Sequence, residues 1–225
     1  MNIFLQRLKK DFIPNKVLDI GAERGTWTES SLKIFNSCSY TLIEPIAYSE
    51  LNKFKNNLGK FTVINTILNN YDGQVDWYEM KNTGDSINKE RTHHFKNCLP
   101  VKKECRQLDT LFKNEIFDLI KIDVQGAEIK VLEGGKDLIK NTSFIILEIP
   151  FMCQYNENTP NFLEHIKKLD ELGFIPYDIV DQHRSDETLL FQVDVCFINK
   201  NHELNKRFQT KNSFLDLLRK ILYKK

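Results

Sequence analysis

The chain has 225 residues, of which 41% are hydrophobic and 28% are charged, the size and composition of one soluble globular domain. Its formal net charge of +1 gives no electrostatic reason to expect nucleic acid as a partner, and no apolar run approaches the roughly 20 residues of a membrane-spanning helix. The five cysteines are scattered without a C-x-x-C pair, which argues against a disulfide framework or a zinc ribbon and favours a reducing, cytoplasmic location.

Apolar runs of strand length alternate with helical patterns in the first third of the chain. We predict strands over residues 17–21, 40–44 and 61–67. A helix that ends near residue 35 and a second helix over 48–58 are predicted between them.

The pattern changes between about residues 70 and 107. Residues 75–80 and 101–108 alternate between apolar and polar side chains and are separated by a polar stretch, which predicts an antiparallel insert. The doublet His93-His94 lies in this stretch, where we expect it to be solvated rather than catalytic.

Strands and helices alternate again in the second half. The predicted strands cover 117–123, 143–150, 174–180 and 192–199, and the predicted helices cover 127–139 and 161–172. Such alternation indicates parallel strands joined by right-handed crossovers, whereas the last two strands have no helix between them and must be antiparallel. The predicted fold is therefore α/β: a Rossmann-like, doubly wound, mostly parallel seven-stranded sheet with one antiparallel strand near the C-terminus, in a single domain over 1–205.

The turn after the first strand is typical of a nucleotide-type site. Gly21 follows the strand and Gly25 opens the next helix, where a side chain is expected to block a ligand. Asp19 ends the first strand, and Glu44 ends the second. A carboxylate at the Glu44 position accepts hydrogen bonds from the two hydroxyls of an adenosyl ribose.

Two cofactors satisfy this arrangement, a dinucleotide and S-adenosylmethionine. The second and third glycines of G-x-G-x-x-G fall on Glu23 and Thr26, so both are missing. The negative charge of Glu23 also opposes a pyrophosphate, whereas Asp19 and Glu23 suit the cationic groups of S-adenosylmethionine. We therefore favour S-adenosylmethionine over NAD.

The segment K-I-D-V-Q-G-A-E, residues 121–128, follows a central strand and continues to Gly134-Gly135. It closely resembles the signature of the FkbM family of methyltransferases. Further matches occur in the same order, over about residues 16–200: V-L-D-I-G-A at 17–22, I-E-P at 43–45, L-D-T at 108–110, I-L-E at 146–148 and V-C-F-I at 195–198.

The resemblance implies an S-adenosylmethionine-dependent O-methyltransferase whose acceptor is a hydroxyl of a sugar, glycan, glycolipid or other small molecule. Members typically have Asn at the position of Glu23. With the turn chemistry above, we expect these cofactor-binding residues: Asp19, Gly21, Ala22, Glu23, Gly25, Glu44, Pro45, Asn65, Asp123 and Gln125.

A hydroxyl needs help to lose its proton at neutral pH. Asp123 and Glu148 follow neighbouring strands, so one of them is a candidate general base, or both are candidate ligands of a Mg²⁺ ion. Lys121 shares a strand face with Asp123 and is a candidate to steady the developing alkoxide. Glu128 is interpreted as a first-turn helix residue, and His183 lies in a loop near the acceptor.

The end of the chain, residues 206–225, has seven Lys or Arg and one Asp and predicts a basic amphipathic helix. Two interpretations remain open for it: peripheral contact with the inner face of a membrane, or packing on its own domain. Two rival functions also remain open at this point, an NAD-dependent oxidoreductase and a catalytically inactive Rossmann-like scaffold.

Overall fold

The computed structural model describes residues 1–57, 59–81, 83–151, 155–185 and 188–209. The strands are β1 (Lys16–Ile20), β2 (Ser39–Ile43), β3 (Phe61–Ile64), β4 (Ile67–Leu68), β5 (Gly73–Trp77), β6 (Val101–Arg106), β7 (Leu119–Ile122), β8 (Phe144–Pro150), β9 (Phe174–Ser185) and β10 (Leu189–Asn199). The helices are α1 (Asn2–Leu8), α2 (Thr26–Leu32), α3 (Asn52–Lys55), α4 (Leu108–Leu111), α5 (Glu128–Glu133), α6 (Lys136–Ile139), α7 (Phe162–Glu171) and α8 (Glu203–Gln209).

A seven-stranded sheet in the order β3-β2-β1-β7-β8-β10-β9 organises the molecule. The pairs from β3 to β8 are parallel, and β10 runs antiparallel to both β8 and β9. The predicted fold class is confirmed. Strand order reverses between β1 and β7, so a crevice opens at their carboxyl ends. Because β10 runs the opposite way, its first residues lie at the same edge.

The sheet is buried on both faces, which explains why its central strands are continuous apolar runs. In β8, Ile145 and Leu147 pack into one hydrophobic cluster, and Phe144 and Ile146 pack into the other. Asp19, in β1, is a fully buried exception to this pattern. A charged residue in such a position requires a specific role.

The predicted insert is a second, three-stranded sheet in the order β4-β6-β5. Its antiparallel pair β5–β6 was expected, but β4, which is parallel to β6, was not. The predicted strand over 61–67 was wrong in this respect, because β3 ends at Ile64 and the chain enters the small sheet at Ile67.

The predicted helix over 127–139 is divided into α5 and α6 at Gly134-Gly135. A Cβ at Gly134 would lie 2.2 Å from the carbonyl oxygen of Asn69, and one at Gly135 would lie 2.7 Å from Leu108. The break therefore lets the insert pack closely against the main domain.

Both ends of the chain differ from the sequence expectations. The short helix α1 was not predicted; it buries Phe4, Leu5 and Leu8. The predicted basic helix over 206–225 begins within α8, and residues 210–225 lie outside the described part of the chain. Among the described helices, none combines the length and the apolar character that a membrane crossing requires.

Candidate active site

A cavity of about 900 Å³ opens at the carboxyl ends of β1, β2, β7 and β8, a size within the range of small-molecule sites. β9 and β10 supply its far wall, through residues such as His183 and Asp194. The cavity thus lies at the strand-order reversal, where a ligand is expected in this fold.

The two glycines of the first turn are required by chain packing. Gly21 has a φ of +75°, and a Cβ there would lie 1.7 Å from the carbonyl oxygen of Asp123. Gly25 has a φ of +81°, and a Cβ there would lie 2.3 Å from the Phe54 ring. Gly21 lines the cavity but Gly25 does not. We expected Gly25 to leave space for a ligand; in the structure it leaves space for the Phe54 ring.

Glu44 is the best-defined polar group in the cofactor half of the cavity. Its residue surface is 7% exposed. One carboxylate oxygen accepts the backbone N–H of Glu23 and the other that of Ile46, each at 2.9 Å. Burial raises the pKa of Glu44 to about 7. Because each carboxylate oxygen has two lone pairs, both retain an acceptor position for a ligand hydroxyl.

Three further predicted cofactor residues lie near Glu44. Ala22 and Pro45 line the cavity beside it. The side-chain amide of Asn65 donates to the backbone carbonyl of Glu44 at 2.9 Å, and Asn65 is not among the residues that line the cavity. The structure therefore gives Asn65 a supporting position behind Glu44.

Glu23 adopts a left-handed backbone, with a φ of +48°. This conformation is costly for most residues but is tolerated by Asn. The Asn typical of this position in the FkbM family therefore has a conformational reason. Glu23 keeps the turn geometry, since its backbone N–H still reaches Glu44.

Asp19 lies beneath the turn and is fully buried. One carboxylate oxygen accepts the Thr28 hydroxyl at 2.6 Å, while the other is buried and has no hydrogen bond within the described chain. Burial raises the pKa of Asp19 although Lys121, its register partner on β7, opposes this. Asp19 does not line the cavity.

The turn after β7 assembles the predicted catalytic residues. Lys121 donates to one oxygen of Asp123 at 2.9 Å, and Gln125 donates to the other at 3.1 Å. The same Gln125 amide reaches Glu148 at 3.3 Å. The two predicted carboxylates are therefore close, and a glutamine amide joins them.

The charges of this group are unequal. Burial alone would raise the pKa of Asp123, but Lys121 outweighs it and the pKa lies below the ordinary value. Burial, together with the neighbouring Asp123 and Asp194, raises the pKa of Glu148 well above the ordinary value. Asp123 is thus held ionised, whereas the surroundings of Glu148 disfavour its ionised form.

Glu128 has a structural position, consistent with its interpretation from the sequence. It is 1% exposed, and one carboxylate oxygen accepts the backbone N–H groups of Val124 and Gly126, each at 3.1 Å. Gln125, between them, has a φ of +55°. Glu128 therefore fixes the turn that presents Asp123 and Gln125.

The far wall contains a cluster of three possible metal ligands that was not predicted from the sequence. Donor atoms of Glu148, His183 and Asp194 all lie within 4.8 Å of one another, a spacing at which they could hold a metal ion. Asp194 was not predicted; its only sequence signal is a lone acid within the apolar run of β10. His183 was noted only for its loop, because β9 was expected to end at residue 180 and in fact continues to Ser185.

The insert forms the roof of the cavity. The Ser86 hydroxyl lies 3.0 Å from the carbonyl oxygen of Gln125, and Asn88 donates to that of Gly126 at 2.8 Å. Trp77 and Tyr155 also line the cavity, whereas His93 lines a separate groove. The insert thus covers the cavity and is held against the turn after β7.

The residues present fit S-adenosylmethionine. Glu44 offers two fixed acceptor positions for vicinal hydroxyls. The carboxylates of Glu23, Asp123 and Glu148 line the same cavity and give it an acidic lining, which suits a cationic cofactor. They oppose the pyrophosphate of a dinucleotide.

Comparison with known proteins agrees with this geometry. Residues 19–176 match the model of the methyltransferase FkbM domain. The 2-O-methyltransferase NoeI of Sinorhizobium fredii is 27% identical over 165 residues, which cover 64% of this chain and 67% of the relative.

Two solved structures show the same fold. The methyltransferase FkbM from Methylobacillus flagellatus is 14% identical, with a TM-score of 0.53; the match covers 81% of this chain and 43% of that one, so this chain spans less than half of its length. The N-methyltransferase NodS from Bradyrhizobium japonicum, in complex with S-adenosyl-L-homocysteine, is 15% identical, with a TM-score of 0.51 and coverage of 88% and 85%.

Proposed function

The chain belongs to the FkbM-domain family of S-adenosylmethionine-dependent methyltransferases, and on this premise we propose that it methylates a hydroxyl oxygen of a sugar, glycan or glycolipid. The single observation that supports the cofactor best is the anchored carboxylate of Glu44. The hydroxyl acceptor is supported by the relative whose name is 2-O-methyltransferase and by cavity walls that combine carboxylates with Trp77 and Tyr155.

S-adenosylmethionine supplies an electrophilic methyl carbon bonded to a sulfonium. Glu44 would accept the ribose hydroxyls, and the turn at Gly21, Ala22 and Glu23, which lines the cavity beside it, would hold the adjacent part of the cofactor. Charged hydrogen bonds of this kind contribute about 1.5–3 kcal/mol each. Asp19 lies beneath this turn and accepts the Thr28 hydroxyl, which holds the start of α2 in place.

Asp123 receives the proton of the acceptor hydroxyl. Its carboxylate lines the cavity, and the Lys121 ammonium 2.9 Å away keeps it ionised. Lys121 also offers positive charge to the oxygen as its proton leaves. Glu148, linked to Asp123 through Gln125, orients the acceptor.

The rival functions make different demands on this cavity. An NAD-dependent oxidoreductase requires a pyrophosphate site, which the carboxylates of Glu23 and Asp123 oppose. An inactive scaffold has no need of the buried charges Asp19 and Lys121, which are costly to maintain.

Transfer of a tritiated methyl group from S-adenosylmethionine to a panel of neutral oligosaccharides tests the proposal. We expect incorporation at an oxygen, identified by mass spectrometry of the released sugars, and loss of incorporation in Asp123→Asn. Cofactor binding accompanied by methylation of amines alone would contradict the hydroxyl acceptor. Failure to bind the cofactor would favour the scaffold.

A further inference from the structure

Three carboxylates lie directly opposite one another across the last three strands of the sheet. In the strand register, Asp194 of β10 is the partner of Glu148 on β8 and of Asp181 on β9. Like charges in such positions destabilise a sheet. Asp181 accepts a hydrogen bond from the Met1 amino group at 3.0 Å, but Glu148 and Asp194 have no comparable cation at hydrogen-bond distance among the described residues.

Asp194 is the most deeply buried of the three. Its side chain is 8% exposed, and its nearest cationic partner in the described chain is His183, at 3.7 Å. Burial of an ionised carboxylate is strongly unfavourable unless a cation compensates it. A cation that binds in the adjoining cavity would remove this cost.

The imidazole of His183 lies beside the carboxylate of Asp194. Its Nε2 atom is buried without a hydrogen bond in the described structure, and it lies 3.7 Å from the nearer Asp194 oxygen. Asp194 raises the pKa of His183, so the protonated imidazole and the carboxylate attract each other. The same 3.7 Å separation suits two atoms that share one metal ion at about 2.0–2.2 Å from each.

Glu148 is the third member of this cluster, and two glutamine side chains outside the cluster orient its carboxylate. The side-chain amides of Gln125 and Gln192 donate to its Oε2 atom at 3.3 and 3.1 Å, which leaves Oε1 available. Outer hydrogen bonds that fix a carboxylate in this manner are typical of metal ligands.

We propose that Glu148, His183 and Asp194 form a binding site for one divalent first-row transition-metal ion. Two carboxylates and one imidazole suit Mn²⁺ or Zn²⁺ better than Mg²⁺, which prefers oxygen ligands alone. The site differs from the Asp123–Glu148 pair considered from the sequence: the charge of Asp123 is already balanced by the Lys121 ammonium at 2.9 Å, and the donor atoms that lie close together are those of Glu148, His183 and Asp194.

The role of the ion rests on the proposed function. Glu148, His183 and Asp194 would hold the ion, and the ion would lower the pKa of an acceptor hydroxyl bound to it, which would compensate for the low basicity of Asp123. The O–H bond breaks and the proton passes to Asp123, the oxygen forms a bond to the methyl carbon, and the carbon–sulfur bond breaks to leave S-adenosylhomocysteine. No oxidant or reductant is needed.

Electron paramagnetic resonance of Mn²⁺ added to the metal-stripped chain, without S-adenosylmethionine, tests the site. The signal of free Mn²⁺ should decrease until about one ion is bound per chain, and Zn²⁺ should displace the ion more effectively than Mg²⁺. Asp194→Asn and His183→Gln should each weaken binding by at least about 10-fold. Asp181→Asn, the same change in the next carboxylate of the row, should bind as the unchanged protein does.

Thermal melting of each metal-free variant separates loss of the site from loss of the fold. Asp194→Asn relieves the like-charge contacts with Glu148 and Asp181 and should melt no lower than the unchanged protein; if it does unfold, His183→Gln serves as the test. Absence of Mn²⁺ and Zn²⁺ binding, or equal binding in Asp194→Asn, would overturn the proposal. Calorimetry with S-adenosylhomocysteine distinguishes this failure from failure of the proposed function, because Glu44 binds the cofactor without the ion.

Discussion

The two halves of the cavity are constructed differently. In the cofactor half, the functional carboxylate of Glu44 is held by backbone N–H groups of Glu23 and Ile46. In the acceptor half, side chains hold side chains: Lys121 binds Asp123, and Gln125 and Gln192 bind Glu148. Backbone groups are present in any sequence with the fold, whereas side-chain networks depend on each residue. The difference indicates a cofactor site that tolerates side-chain changes around Glu44 and an acceptor site that substitution can remodel.

The largest expected effect lies in the acceptor half. Asp123→Asn removes the proposed proton acceptor and should reduce kcat by about 10²–10⁴-fold, while the dissociation constant for S-adenosylmethionine changes by less than about 3-fold. Single-turnover methyl transfer and calorimetry measure the two quantities. Asp137→Asn, in an exposed carboxylate of α6, should alter neither. A large loss of cofactor affinity would instead assign Asp123 to the cofactor half.

Substitution of Glu128, which holds the turn after β7, should lower the stability of the fold. Glu128→Ala leaves the buried N–H groups of Val124 and Gly126 without their acceptor and should lower the free energy of unfolding by about 2–4 kcal/mol. The matched change Glu133→Ala, on the same helix, removes a partly exposed ion pair with Lys168 and should cost less than about 1 kcal/mol. Urea denaturation measures both, and equal losses would contradict the capping role of Glu128.

The cofactor half should show a pH dependence that the change Glu44→Gln removes. Burial raises the pKa of Glu44 to about 7, so affinity for S-adenosylmethionine should fall as the pH decreases below this value and the carboxylate is protonated. In Glu44→Gln, affinity should be about 10–100-fold weaker at about pH 8 and nearly independent of pH. Calorimetry between about pH 6 and about pH 8 tests this.

The stability of the cofactor-free protein should change in the opposite sense. Because the pKa of Glu44 is higher in the folded state than its ordinary value of 4.5, the folded chain binds this proton more tightly. The stabilisation is therefore complete at low pH and is lost as the pH rises towards 7. The Glu44→Gln variant should lack this component of the denaturation profile.

The smallest expected effect is a gain in stability at the first turn. Glu23→Asn places a residue that tolerates a left-handed backbone at a φ of +48° and should raise the free energy of unfolding by about 0.5–1 kcal/mol. Glu29→Asn, within the right-handed helix α2, should lower it by a few tenths of a kcal/mol. Urea denaturation that shows the same sign for both would contradict the backbone argument.

The same contrast explains what the sequence could predict. The sequence could predict which residues line the cofactor half because they are local: Gly21, Glu23 and Glu44 line the cavity, and each lies beside a strand end that an apolar run identifies. The seven-stranded sheet followed from the alternation of those runs. In the acceptor half, Asp123 and Glu148 were predicted for the same local reason.

The remaining features depend on distant contacts. Asp194 belongs to an antiparallel strand, and only the pairing of β10 with β8 and β9 places it opposite Glu148 and near His183. The interruption between α5 and α6 depends on how closely Asn69 approaches Gly134. No local pattern predicts such contacts, because they arise when separate elements pack together.

Isothermal titration of the unchanged protein with S-adenosylmethionine, S-adenosylhomocysteine and NAD tests the central claim most directly. We predict that both adenosyl ligands bind with a dissociation constant on the order of micromolar, that NAD does not bind, and that Glu44→Gln weakens both adenosyl ligands alike. Binding of NAD, or adenosyl binding that is unaffected by Glu44→Gln, would contradict the assignment of this cavity to S-adenosylmethionine.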